Sequence, residues 1–541
     1  MSLDPIKATE AIQEKYLDYL ETTFALNDLK LHQQLVAELN KPGRFVKGPI
    51  LEATPPFETG STLREIIEEG VLSSEFAKLG ADELPLEREL YIHQEMAIRK
   101  LVLDRRNIII ATGTGSGKTE CFLLPILNHL FRQKEQGKLD PGVRALLLYP
   151  MNALANDQLK RLRRLLKNYP AITFGSYTGE TKEHESQAIQ QFKKVNPGEK
   201  RLPNEILSRE EMKLSPPHIL LTNYAMLEYL LLRPDDNVFF DGPFAQKWRF
   251  LVIDEAHTYS GAKGIEMAML LRRLKDRVVK NKPGELQCIG TSATLGEEGR
   301  SFSKVAQFGA SLFGEQFEWD ESNPSRQDII AGRKKHLAIT ESSWGSPDES
   351  LYVRWKEMVQ ESKVDIASLV ETGKELGVPL QVMQQAEEQS AGQWSRFLYL
   401  VLAGDRRVIT LQKMLEEKPC YLEDVTYKLF KTDEGKRNLV ALVYLANKAR
   451  LAKNEQQLLP ARYHLFIRAI EGGYCSLMPE KQFFLECREL VDVDGKTYSV
   501  FEVATCQQCS SLYIVGEIDS ERKLKQPGNL FYDDPNKLEY Y

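Results

Sequence analysis

Between residues 89 and 315, short apolar runs alternate with longer stretches whose apolar positions recur every three or four residues. The runs "NIIIAT", "ALLLYP", "ITFGSY", "HILLTN", "FLVIDE" and "LQCIGTSAT" are too short for helices and nearly continuous in hydrophobicity, as expected of strands covered on both faces of a parallel sheet. Stretches between them, such as "ECFLLPILNHLF", have helical periodicity. The segment therefore reads as an open α/β sheet with helices on both faces.

Elsewhere the pattern changes. Residues 1–88 read as a largely helical N-terminal region, with the extended stretch "KPGRFVKGPILEATPPFETGS" and a capping box predicted from Thr62 and Glu65. Residues 316–460 read as a helix-rich accessory domain, and residues 461–541 return to strand-like alternation in a small β-rich segment that contains cysteines. The polar stretch at about 181–217 is too long for an ordinary connection and reads as a partly helical insertion.

A chain of 541 residues exceeds what one core can organise, in keeping with several domains. Its 42% hydrophobic and 27% charged residues are those of a globular protein. A formal net charge of −6 gives no global attraction to nucleic acid, so any such binding must use local basic patches or backbone amides. Seven scattered cysteines and an amphipathic N-terminus predict a reducing, cytoplasmic setting. No apolar stretch approaches the ~20 residues that cross a bilayer, so no membrane span is expected.

The chemistry begins at "IIIATGTGSGKTE", where a strand breaks into Thr112, Gly113, Thr114, Gly115, Ser116, Gly117, Lys118 and Thr119 and then a helix. Strand, glycine loop and helix form a phosphate cradle: the loop turns backbone N–H groups toward an anion, and the helix adds the positive end of its dipole. Lys118 is placed to reach the β- and γ-phosphates and Thr119 to ligate Mg²⁺. ATP or another nucleoside triphosphate is the predicted ligand. The general pattern starts with glycine where this chain has Thr112.

"FLVIDEAH" ends an apolar strand in two carboxylates. Asp254 is predicted to hold Mg²⁺, and Glu255 to orient or deprotonate an attacking water. "TSATLG" ends another strand, and the hydroxyls of Ser292 and Thr294 are expected to reach His257 and couple nucleotide state to the rest of the domain.

With "ATGTGSGKT" as motif I, "DEAH" as motif II and "SAT" as motif III, the chain resembles a superfamily 2 DEAD/DEAH-box helicase, whose motif I need not begin with glycine. The phrases "SREEMKLSPPHILLTNYAMLEYLL", "AHTYSGAKGIEMAMLLRRL" and "RYHLFIRAIEGGYCSL" resemble the YprA (MrfA)-like branch, bacterial DNA helicases of repair, with related large helicases in anti-phage defence. The resemblance implies a RecA-like P-loop domain and nucleic acid, DNA by branch, as partner. It implies that Gln94 reads the adenine edge with Tyr91 near the base, in a Q-type element "LYIHQEMAI". It also implies that Asn152, Thr222 and Asn223 grip one strand's backbone, with Arg161, Arg163 and Arg164 adding phosphate contacts.

Cys506 and Cys509 have the spacing of half a zinc site, for which Cys475 and Cys487 are the candidate second pair; a metal-free knuckle is the alternative. No phrase after residue 314 resembles the second RecA-like domain that supplies an arginine finger, so the chain is expected to be the N-terminal portion of a motor, completed elsewhere. The alternative is a nucleotide-gated binding or scaffold subunit, against which the intact Lys118, Asp254 and Glu255 argue.

Overall fold

The computed structural model describes residues 4–41, 43–80, 83–113, 115–293, 301–361, 364–431, 435–452, 455–470, 472–506, 508–518, 522–525 and 539–540. The chain divides into two compact units, Phe57–Lys335 and a second made of Met1–Pro56 with His336–Tyr541. The division thus runs elsewhere than the four-part reading of the sequence.

In the first unit, eight strands form one parallel sheet. Their order is Ile329–Ala331, Ile108–Ala111, Gln287–Ser292, Phe250–Ile253, Ala145–Tyr149, Ile219–Asn223, Phe174–Ser176, Glu205–Ile206. The six apolar runs are the six inner strands. Because successive side chains point to opposite faces, Ile108, Ile110, Leu147, Val252 and Ile289 enter one core, and Ile109, Ala111, Leu146, Leu148, Leu251 and Ile253 enter the other. Helices Ile92–Val102, Lys118–Glu135 and Asn152–Leu165 cover the first face, and helices Tyr224–Leu232, Gly261–Val279 and Phe302–Phe313 the second. This is the α/β, RecA-like architecture expected.

Both edge strands lie where the pattern was weak. Ile329–Ala331 falls beyond the predicted boundary at 315, and is held by Arg106, whose guanidinium pairs with Asp328 at 2.7 Å and Glu318 at 2.6 Å. Glu205–Ile206 lies inside the stretch read as an insertion, between helices Glu185–Val195 and Arg209–Leu214. That stretch therefore completes the sheet. Upstream, Thr59–Thr62 pairs with Glu89–Tyr91, and Thr62 and Glu65 form the capping box.

In the second unit, strand Val46–Ala53 pairs antiparallel with Cys420–Tyr421 and with Ala461–Ile467, which fastens the first 56 residues to the later chain. The helices from Ser350 to Lys448 pack around Trp355, Phe397 and Leu442, all fully buried. Helices Pro5–Thr23 and Leu29–Leu39 share a smaller core with Cys475 and Phe483 of the C-terminal antiparallel sheet. Among the described residues no helix is long and apolar enough to cross a membrane.

Candidate functional site

At the carboxyl end of Ile108–Ala111 the chain turns through Gly115 at φ 77° and Gly117 at φ 72°, and then starts the helix Lys118–Glu135. Both glycines occupy left-handed backbone that side chains rarely adopt. A Cβ on Gly117 would strike the amide nitrogen of Gln94 and lie 3.1 Å from Glu120 Oε2, whereas Cβ atoms on Gly113 and Gly115 would meet open space. Phosphate oxygens at a loop that opens a helix would meet backbone amides on such an open side.

The loop is braced from behind. Thr112 N–H donates to the Ser292 carbonyl (3.1 Å), and the Thr112 and Ser116 hydroxyls are 2.5 Å apart. His93 Nε2 bonds the Ser116 carbonyl (2.8 Å), and Gln94 Nε2 donates to the Gly117 carbonyl (3.1 Å). Gln94 Oε1 accepts from Tyr91 N–H (3.0 Å), so this fully buried side chain has both ends engaged within the protein. Gln94 accordingly braces the loop from behind, a role that the motif similarity did not reveal. Tyr91 is half-buried and stacked on His93, with ring centroids 5.4 Å apart.

Asp254 and Glu255 follow strand Phe250–Ile253 at the same sheet edge. Glu255 has φ 50°, an uncommon conformation for a side-chain-bearing residue, and its carboxylate pairs with Lys118 Nζ at 3.0 Å. Thr291, on the neighbouring strand, accepts from Glu255 N–H (3.2 Å) and donates its hydroxyl proton to Asp254. Burial pushes the Asp254 carboxyl above its usual range, the adjacent Glu255 adds to this, and the Thr291 hydrogen bond opposes it. Ser292 Oγ lies 3.1 Å from His257 Nδ1, which is 3.4 Å from Glu255 Oε2. Loop, carboxylates and hydroxyls thus share one cluster, with Thr119 on the first helical turn beside Lys118. One carboxylate with hydroxyl support suits Mg²⁺, which takes most of its remaining ligands from water and phosphate. Thr114 and Thr294 lie outside the described residues. Thr291 and His93 were missed in the sequence; the signal for Thr291 was its place immediately before Ser292 at a strand end.

The residues matched to nucleic-acid motifs separate. Asn152 and Asn223 meet at the carboxyl ends of adjacent strands, with Asn223 Nδ2 donating to Asn152 Oδ1 (2.8 Å) and Asn223 Oδ1 capping helix Tyr224–Leu232 through Met226 N–H (2.8 Å). Asn152 Nδ2 donates to Glu180 (3.1 Å). Thr222 instead points inward, fully buried, and donates to the Tyr177 carbonyl (2.6 Å). Arg161 pairs with Glu120 at 2.5 Å. Arg163 is buried against Glu205 (2.7 Å) and Glu199 (2.9 Å), a structural pair, and Arg164 lies 3.4 Å from Glu83.

The four cysteines do not assemble. Cys475 is fully buried in an apolar core, where burial pushes its thiol up to about 11, while Cys487 is exposed. Cys506 and Cys509 share a turn closed by Cys506 N–H to the Ser511 carbonyl (2.9 Å). Among the described residues no group of three or more His, Cys, Asp or Glu side chains is arranged to hold a metal ion, so a four-cysteine zinc site has no support there.

Comparison with known proteins places this cluster in context. Residues 91–302 match the family model "DEAD/DEAH box helicase". The Druantia protein DruE of Escherichia coli (strain UMEA 4076-1) is 28% identical over an alignment covering 95% of this chain and 33% of that protein. The uncharacterized ATP-dependent helicase YprA of Bacillus subtilis (strain 168) is 32% identical over 43% of this chain and 25% of its own length. Among solved structures, the DUF1998 helicase MrfA bound to DNA and AMPPNP is 20% identical, covering 69% of this chain and 48% of that one, with a TM-score of 0.37. The chain spans a third or less of these two relatives. Residues 91–302 are therefore similar to a DEAD/DEAH box helicase domain, and DruE and YprA are among the proteins that the chain resembles.

Proposed function

We propose that this chain is the ATP-binding half of a DNA helicase or translocase, which couples ATP hydrolysis to strand movement when a second motor domain is present. The observation that carries this reading is the Lys118–Glu255 pair at 3.0 Å, set between the phosphate loop and Asp254. In the absence of phosphate, Lys118 neutralises Glu255; drawn to an anion, it would release the Glu255 carboxylate to take a proton from water. Asp254 and Thr119 would hold Mg²⁺, which when bound supplies charge neutralisation at the phosphate oxygens. Thr291 fixes Asp254 and the Glu255 backbone together, so both carboxylates keep their spacing.

Asn152 and Asn223, side by side at helix N-termini, support a backbone grip that is indifferent to base identity. DNA as substrate, and a role in bacterial DNA repair or phage defence, rest on the branch resemblance of the phrases quoted from the sequence. The test is steady-state ATP hydrolysis and strand separation by this chain, with Glu255→Gln as the blank. Slow, Glu255-dependent hydrolysis without unwinding is expected; robust unwinding by the chain alone would overturn the need for a second motor domain.

A further inference from the structure

One buried contact joins the nucleotide loop to the helix that begins at Asn152, and neither motif contains it. Glu120 sits in the first turn of the phosphate-loop helix, two residues after Lys118, and is itself buried. Its Oε1 holds Arg161 at 2.5 Å and Arg88 at 3.3 Å, and its Oε2 is buried with no hydrogen-bond partner. Arg161 lies on helix Asn152–Leu165, whose first residue bonds Asn223.

We propose that Glu120 and Arg161 are positioning residues, a coupling pair through which occupancy of the phosphate loop alters the grip of helix Asn152–Leu165 on a nucleic-acid backbone. The inference rests on the reading of the site given above. Its physical basis is that a buried carboxylate cannot be left unpaired without a large penalty. A phosphate that draws on the N–H groups of the first helical turn would shift Glu120, which that turn carries. Arg161 would be drawn along, because its contact with Oε1 is the shorter of the two that hold Glu120, Arg88 lying 3.3 Å away, and Oε2 has no partner of its own. The side chain first read as a phosphate contact becomes the link that reports on the nucleotide.

The experiment measures affinity for a fluorescent oligothymidylate, with and without a saturating non-hydrolysable ATP analogue and Mg²⁺, in the full chain and in Glu120→Gln, Arg161→Gln, the double variant and Arg161→Lys. The wild-type chain should bind DNA about tenfold more tightly with nucleotide, within the usual range of such couplings. Either glutamine variant should bring that ratio below about twofold, the double variant should lose no more, and Arg161→Lys should keep most of it. Arg161 is partly exposed, so its variants test the pair even if Glu120→Gln does not fold. Folded glutamine variants that retain the wild-type ratio overturn the proposal. A wild-type chain that binds both ligands independently overturns it while leaving the nucleotide site intact, and one that binds neither overturns both.

Discussion

Gly117→Ala tests the loop geometry most sharply. The residue holds φ 72°, and a side chain in left-handed backbone costs about 1–2 kcal/mol. Its Cβ would also strike Gln94 Nε2, displacing the amide that bonds the Gly117 carbonyl at 3.1 Å and Tyr91 N–H at 3.0 Å. Each such bond contributes about 1 kcal/mol. The sum is about 3 kcal/mol, which the loop escapes by giving up its cradle conformation, so nucleotide affinity should fall about 100-fold. Titration with a fluorescent ATP analogue, beside a thermal melt of the nucleotide-free chain, measures both sides. Gly113→Ala is the control: its Cβ meets nothing within 4 Å, so the ligand-free melt should not move, and any lost affinity reports the phosphates themselves. Wild-type nucleotide affinity in Gly117→Ala would refute the reasoning.

Other consequences follow from buried partners. His218 is buried, with Nδ1 accepting from Thr173 N–H (2.9 Å) and Nε2 facing the Asp140 carbonyl (3.2 Å), and burial, with Arg144 nearby, holds its pKa down at about 4. Its stability contribution is therefore complete above the unfolded pKa of 6.5 and is lost as pH falls toward 4, by about 3 kcal/mol; denaturant melts of the chain and of His218→Gln should show a shallower decline in the variant. Arg163→Met leaves the fully buried Glu205 without its bidentate partner and should destabilise the first unit by about 3–5 kcal/mol, part of it recovered with Glu205→Gln; urea melts measure both. Thr222→Val removes an internal hydrogen bond only, so it should lower stability by about 1 kcal/mol and leave single-stranded DNA affinity unchanged, whereas Asn223→Ala should weaken that affinity. With Cys475 in an apolar core, treatment with a chelator should leave the melting curve unchanged.

The inner sheet was legible because each of its strands is a continuous apolar run, and the cradle because Gly115, Gly117 and Lys118 keep their register in any such loop. The edges were not. Ile329–Ala331 and Glu205–Ile206 are three and two residues long, and are specified by charges elsewhere in the chain: Arg106 to Asp328, and Arg163 to Glu205. A polar segment rich in Lys and Glu looks like a solvated insertion until its carboxylates meet a buried guanidinium. The pairing of Val46–Ala53 with Ala461–Ile467 has no local signature at all. In the site, pattern located the carboxylates but not the internal bonds that Gln94, Thr222 and Arg161 make to the Gly117 carbonyl, the Tyr177 carbonyl and Glu120, because those partners are distant in the chain.

The central claim is that the loop at Gly113–Thr119 and the carboxylates of Asp254 and Glu255 form one ATP site. Its most direct test is equilibrium titration of a fluorescent ATP analogue with Mg²⁺ into the chain and into Lys118→Ala. Saturable, Mg²⁺-dependent binding that weakens at least about tenfold in the variant, a loss of about 1.4 kcal/mol, is predicted. Equal binding by the two proteins, or none by either, would contradict it.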